Sequence, residues 1–311
     1  SEGFRYRLRH NKYFETMKQR GYALRIYQPN YVDLCPFDTN GVACHTYDAG
    51  DIASFRDLKL SVSEKARLVA GTFLSRSKTL REISNTYVRL SEVLDTMSIR
   101  LTWMDWYQSP TTLNSIVEIE RITRDLATAK EGELFVAHLL VPHSPFMYST
   151  TCAALPVRLW VNPHHLDSPG GVDRTAAYAS YGSQVRCTMQ LIDGVLSAIP
   201  GALRERAIVI VNGDHGSRLS PNEPTAVDAA SMSGDDYSDN YSTLFAVRAP
   251  GLEAIYDKRM TPITCILQTL VAQEFQSVAG IEKCSGAQTV FMKTGANPVP
   301  KPLPSFVRDD Q

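Results

Sequence analysis

The 311-residue sequence predicts an α/β fold, a three-layer α/β/α sandwich around a mostly parallel central sheet. Two nearly continuous apolar runs, residues 133–141 (ELFVAHLLV) and 207–211 (AIVIV), have the pattern of strands covered on both faces. Between them, residues 173–199 repeat apolar side chains at helical spacing: Tyr178, Tyr181, Val185, Met189, Ile192, Leu196 and Ile199, with Asp173 placed to cap the helix. A third run, residues 242–247 (STLFAV), follows and closes at Ala249-Pro250-Gly251.

Taken in order, Asn11 can cap a short helix whose Tyr13, Phe14 and Met17 share a face, and Gly21 ends it. Residues 22–27 (YALRIY) read as a strand, followed by a polar loop bracketed by Cys35 and Cys44. Segments 63–75, 78–97 and 112–129 each space apolar residues three or four apart, which makes 51–130 a helical insertion or lid. The aromatic stretch 101–110 (LTWMDWYQSP) reads as a helix junction. Residues 219–240 are rich in Gly, Ser and Asp and are expected to form a long loop. Residues 261–275 have a helical pattern, and 289–292 (TVFM) fit an edge strand. This outlines one domain over residues 1–295 and a Pro-rich, extended tail over 296–311.

Composition narrows the function classes. A formal net charge of -1 leaves no basic excess to neutralise phosphates, so nucleic acid is not an expected partner. No apolar stretch approaches the roughly 20 residues of a membrane span. The six cysteines include no CxxC pair, which disfavours zinc-ribbon and thioredoxin-like readings. Their even number and local spacing suit disulfides in an oxidising compartment, with Cys35 and Cys44 placed for a short loop; buried free thiols are the alternative.

The residues that can carry chemistry sit where strands end. Asn212-Gly213-Asp214-His215-Gly216 follows the 207–211 run directly, and ligands in open α/β sheets bind beyond the strands' carboxyl ends. A carboxylate beside an imidazole is a half-site for a divalent ion, and the flanking glycines permit a sharp turn. His143, in the loop after 133–141, is placed to reach the same crevice and meet an anionic oxygen or a leaving group. His138 lies within the strand and reads as structural. Arg218 has the planar fork that fits a tetrahedral oxyanion, or is simply an exposed loop residue. The acidic run 235–239 can add a ligand, but solvated loop charge is the plainer reading.

The order of these elements (strand, His-Ser-Pro-Phe, long helix, strand, Asp-His-Gly, long loop, strand, Ala-Pro-Gly) resembles the C-terminal half of the sulfatase-like branch of the alkaline-phosphatase superfamily. Lipoteichoic acid synthases, phosphoethanolamine transferases and arylsulfatases belong to that branch. The resemblance covers residues 131–251 well and 11–50 loosely, and it includes a helix with Tyr181 and Asp193 at the family's spacing. It implies an alkaline-phosphatase-like fold in which Asp214 and His215 bind a catalytic divalent ion (manganese, zinc, magnesium or calcium). It also implies that His143 contacts the substrate's phosphate or sulfate. The activity implied is hydrolysis of a phosphoric or sulfuric ester, or transfer of a phospho group. The partner implied is an anionic small molecule, glycan or lipid headgroup at the periplasmic or outer face of the inner membrane.

The sequence also departs from that pattern. No buried strand ending in an acidic ligand opens it, no nucleophile context is recognisable, none of the cysteines lies in a C-x-P-x-R context, and no histidine follows His215. The expectation is therefore an N-terminally incomplete domain, inactive alone, whose nucleophile and membrane anchor lie upstream. A non-catalytic relative that binds an anionic glycan or lipid headgroup is the alternative.

Overall fold

The structure, a computed structural model, describes residues 6–8, 10–35, 40–48, 51–76, 111–163, 166, 173–257, 261–285, 289–294 and 297–302. The expected helix over 78–97 and the aromatic stretch 101–110 lie outside the described residues. The fold is mixed α/β, and the chain divides into two compact units, Ser1–Pro200 and Gly201–Gln311.

In the first unit the strands are β1 (Tyr6–Arg7), β2 (Ala23–Pro29), β3 (Val32–Asp33), β4 (Val42–Tyr47) and β5 (Glu133–Ala137). Strand β2 pairs in parallel with β4 on one side and β5 on the other, with Ile26 opposite Cys44 and Val136, while β1 and β3 form a small parallel pair. The helices are α1 (Lys12–Gln19), α2 (Val62–Arg76), α3 (Thr111–Leu126) and α4 (Arg174–Ser197). Asn11 caps α1 as expected, its Oδ1 accepting from the Tyr13 and Phe14 amides, and Asp173 caps α4 through the Ala176 amide.

Because successive strand residues face opposite ways, β2 buries both of its faces. Leu24 and Ile26 pack with Phe14 and Met17 of α1 and with Val42, Leu134 and Val136 of the flanking strands. On the other face Tyr27, fully buried, donates from its hydroxyl to Asp125 Oδ2 of α3 at 2.6 Å. Tyr47 of β4 reaches the same helix, sharing a hydrogen bond with Ser115 Oγ at 3.2 Å. A second core joins Phe55 and Leu58, Leu68 of α2, Leu113 of α3, Met147, Tyr148, Trp160 and Cys187 of α4.

The second unit holds the short α5 (Gly201–Arg204), β6 (Val209–Asn212), α6 (Gly234–Tyr241), β7 (Phe245–Arg248), α7 (Ile263–Ala272), β8 (Thr289–Thr294) and β9 (Asn297–Pro302). Strands β6 and β7 pair antiparallel, Val209 opposite Arg248 and Asn212 opposite Phe245. An order of strand, helix and strand suggests a parallel crossover. Here the intervening chain instead folds back on itself, and the ladder continues past β6 through the Gly213 amide to the Leu244 carbonyl at 3.0 Å. The expected long loop over 219–240 is another correction, since it contains helix α6.

The Pro-rich stretch begins as β9, antiparallel to β8. Pro298, Pro300 and Pro302 fall on one alternate set, which leaves Asn297, Val299 and Lys301 to supply the ladder's N–H groups. Residues from 303 onward lie outside the described residues.

Three disulfides close the units locally: Cys35–Cys44, Cys152–Cys187 and Cys265–Cys284. They suit a non-reducing, extracytoplasmic environment. Among the described residues no helix is long and apolar enough to cross a membrane.

Ile26 is completely buried at the centre of the parallel sheet. Ile26→Ala is expected to destabilise the first unit by about 2–5 kcal/mol in urea unfolding, whereas Val62→Ala, at a position 85% exposed, shifts it by less than about 0.5 kcal/mol.

Candidate functional site

His143 lies in the first unit, on the loop that leaves β5. The strand ends at Ala137, one residue before His138, although the His138 amide still reaches the Tyr27 carbonyl at 2.9 Å. The His138 ring packs edge-on against Tyr31. The following loop carries cis peptides before Pro142 and Pro145. Its backbone is gripped by Gln184, a residue of α4 that is 1% exposed. The Gln184 Nε2 group spreads its two hydrogens over the carbonyls of His143 (2.8 Å), Pro142 (3.1 Å) and Pro145 (3.3 Å). Its Oε1 accepts from the Met147 amide at 2.8 Å. Thr112 of α3 donates to the same His143 carbonyl at 2.5 Å.

The imidazole itself is exposed. Its Nδ1 stands 2.8 Å from the Ser144 carbonyl oxygen, which can only accept, so in the neutral ring Nδ1 carries the proton and Nε2 the lone pair.

Gln184 also shows how the buried face of α4 differs from the apolar pattern of the sequence. The buried residues are Ala177, Gln184, Cys187 and Thr188, while Tyr178 and Met189 are exposed. Two polar side chains take core positions because they satisfy the loop and the helix's own backbone, Thr188 donating to the Gln184 carbonyl. Hydrophobic spacing cannot reveal a buried residue chosen for its hydrogen bonds.

Asp214 and His215 lie in the second unit, just past β6. The chain bends at Asp214 and His215, and the flanking glycines, neither with a positive φ, allow close approach. A Cβ on Gly213 would stand 2.0 Å from Thr243 Oγ1, and one on Gly216 would stand 1.9 Å from the Asp239 carbonyl oxygen. The Gly216 amide donates to the Asn240 carbonyl at 3.1 Å. The glycines on either side of the pair thus pack against the last turn of α6 and the segment joining it to β7.

The side chain of Asp214 is 82% exposed and that of His215 29% exposed, with Asp214 Oδ1 3.8 Å from His215 Nε2. His215 Nδ1 lies 2.6 Å from the Gly216 carbonyl, which again makes Nδ1 the donor and frees Nε2. A histidine oriented in this way by a backbone acceptor can offer Nε2 to a metal ion. The Oδ1–Nε2 separation is a few tenths of an ångström longer than the roughly 3.4 Å edge expected between ligands with bonds of about 2.1 Å at a tetrahedral ion. The pair therefore fits two corners of such a site. No group of three or more His, Cys, Asp or Glu placed to hold a metal is found among the described residues.

Arg218 is exposed, with φ at 56°. The acidic run 235–239 is not the solvated loop that the sequence suggested. Asp236 is 2% exposed and closes a capping box with Ser233 at the start of α6, while Asn222 Nδ2 donates to its Oδ2 at 2.9 Å. Burial raises the Asp236 carboxyl, but the hydrogen bonds from Asn222 and Ser233 outweigh it and hold the group below the ordinary aspartate range. Asp239 binds the loop after Asp214. Both were missed as structural residues because a run of acids with Gly and Ser is equally the composition of a loop. The signal that could have found the helix is the S-x-x-D spacing of Ser233 and Asp236.

His143 thus belongs to one unit and Asp214, His215 and Arg218 to the other.

Gln184→Met keeps the volume but leaves the Met147 amide and three carbonyls without this partner. The substitution is expected to destabilise the first unit by about 2–3 kcal/mol in denaturant unfolding. It should also speed hydrogen exchange at the Met147 amide by an order of magnitude or more.

Comparison with models of known families, with curated proteins and with solved structures finds no match to this chain.

Proposed function

We propose that the chain carries the metal- and oxyanion-binding part of an enzyme that hydrolyses phosphoric or sulfuric esters or transfers a phospho group. The reading places it in an alkaline-phosphatase-like, three-layer α/β/α sandwich of an extracytoplasmic, membrane-anchored protein. The observation that carries it is the Asp214–His215 pair. A carboxylate oxygen and an imidazole nitrogen lie 3.8 Å apart just past a strand end, with the imidazole's other nitrogen tied to a backbone carbonyl. The order of motifs read from the sequence adds to it, as do three disulfides that suit an exported protein.

In this reading Asp214 Oδ1 and His215 Nε2 are two ligands of a divalent ion. When bound, such an ion lowers the pKa of an oxygen nucleophile and offsets charge on the transferring group. The chain's own residues bind and orient the ester. By the order of motifs in the sequence, His143 of the first unit is assigned to an anionic oxygen of the substrate; with Nδ1–H directed at the Ser144 carbonyl, its Nε2 can accept a proton in the neutral state and donate one as imidazolium. Arg218 offers a forked pair of donors to the non-bridging oxygens. Substrates of this class are anionic small molecules, glycans or lipid headgroups bearing phosphate or sulfate.

Calorimetric titration with manganese or zinc should show one divalent-ion site, weakened by Asp214→Asn or His215→Ala by more than the roughly 10–100-fold that loss of a ligand's supporting partner costs. The full-length gene product should turn over an aryl phosphate or aryl sulfate only with the ion present, and His143→Ala should lower that rate by about 100-fold or more. A product that binds the ion and inorganic phosphate yet turns over no such ester would instead be a non-catalytic relative binding an anionic glycan or lipid headgroup.

A further inference from the structure

Arg218 occupies the left-handed region of backbone space, at φ 56°. An arginine gains nothing from that conformation, in which its Cβ crowds the adjoining carbonyl, and a glycine would make the same turn without strain. Such a residue persists only where its surroundings over-determine it. Here they do. The Leu219 and Ser220 amides donate to Asp239 Oδ2 at 2.7 and 2.9 Å, and the Ser217 hydroxyl donates to Oδ1 of the same carboxylate. The Arg218 amide points to the Asp239 carbonyl at 3.4 Å, against which Gly216 also packs.

Residues 216–220 are thus all moulded on one aspartate. Its helix, α6, is held in turn by Asp236 and by Asn240, whose Nδ2 donates to Ser220 Oγ at 2.9 Å. Ser217 and Ser220 lend their hydroxyls to this network and Leu219 buries its side chain, whereas the side chain of Arg218 is exposed, four residues beyond Asp214.

We propose that Asp239 is a positioning residue, which holds Arg218 in its strained backbone so that the guanidinium receives a tetrahedral phosphate- or sulfate-class oxyanion. The inference rests on the reading of Asp214 and His215 as the adjoining metal ligands. Asp239 touches no substrate; it acts through Arg218, whose planar, permanently charged fork suits the non-bridging oxygens of such a group.

The test uses the full chain with manganese present and inorganic phosphate and inorganic sulfate as probes. Arg218→Gly relieves the backbone and should raise the melting temperature by roughly 2–5 °C while weakening affinity for phosphate or sulfate about tenfold or more. Asp239→Asn should lower the melting temperature and weaken anion binding in the wild-type background. In the Arg218→Gly background it should lower the melting temperature again but leave anion affinity where Arg218→Gly set it, because its effect on the anion runs through Arg218. Anion affinity unchanged by Arg218→Gly would overturn the proposal, as would an equal weakening by Asp239→Asn in both backgrounds. Arg218→Gly carries the test alone where Asp239→Asn does not fold. Manganese affinity separates the two levels. Loss of manganese binding in the wild type contradicts the proposed function itself, whereas intact manganese binding with Arg218-independent anion binding contradicts only the positioning role.

Discussion

A loop with two prolines lacks two of its backbone N–H donors; Phe146 and the Met147 carbonyl pair with neighbouring backbone, while the carbonyls of Pro142, His143 and Pro145 and the Met147 amide turn to side chains. One buried amide, Gln184, meets most of that demand by donating to three carbonyls and accepting from the Met147 amide. With Thr112 it fixes the peptide of His143, and so the direction in which that side chain leaves the backbone. The Cys152–Cys187 disulfide ties the chain just beyond this loop to the same helix, three residues along from Gln184. The loop's shape is thereby imposed from α4.

The second unit solves the same problem with charge. Residues 216–220 fold around the carboxylate and carbonyl of Asp239, and the start of α6 is closed by the buried carboxylate of Asp236. Carboxylates suit this task because each oxygen accepts more than one hydrogen bond, and charge-assisted bonds to backbone amides are the stronger kind. In both units the candidate residues His143, Asp214 and Arg218 are exposed, and the loops that carry them are held by polar side chains of a helix, buried Gln184 in the first and half-buried Asp239 in the second. Buried polar groups of this kind favour one loop conformation over its alternatives, since a rearranged loop would leave them unsatisfied.

The sequence made the regular elements legible and the supporting shell much less so. Asn11 and Asp173 announce their helices because a capping side chain acts locally, within three residues. The 133–141 run announces β5 through burial, although the strand stops at Ala137. Strand β4 was hidden: Val42-Ala43-Cys44-His45-Thr46-Tyr47 is an edge strand of mixed polarity whose partner, β2, is set by tertiary pairing. The antiparallel sense of β6 and β7 was hidden for a related reason, because the direction of return depends on the intervening chain. Asp214, His215 and His143 stood out as residue types at strand ends. Gln184 and Asp239 could not stand out, since their roles exist only in contacts with residues 37 to 42 and 19 to 22 positions away.

The account turns on the two imidazoles. His143 and His215 each direct Nδ1 to the carbonyl of the following residue, at 2.8 and 2.6 Å, and each thereby keeps the Nε2 lone pair for a proton or a metal ion. Long-range proton–nitrogen correlation spectra of the histidine-labelled chain, at a pH where the rings are neutral, report directly which ring nitrogen carries the proton. The account predicts that both histidines hold it on Nδ1, with Nε2 bare. A spectrum placing the proton of His215 on Nε2 would contradict it.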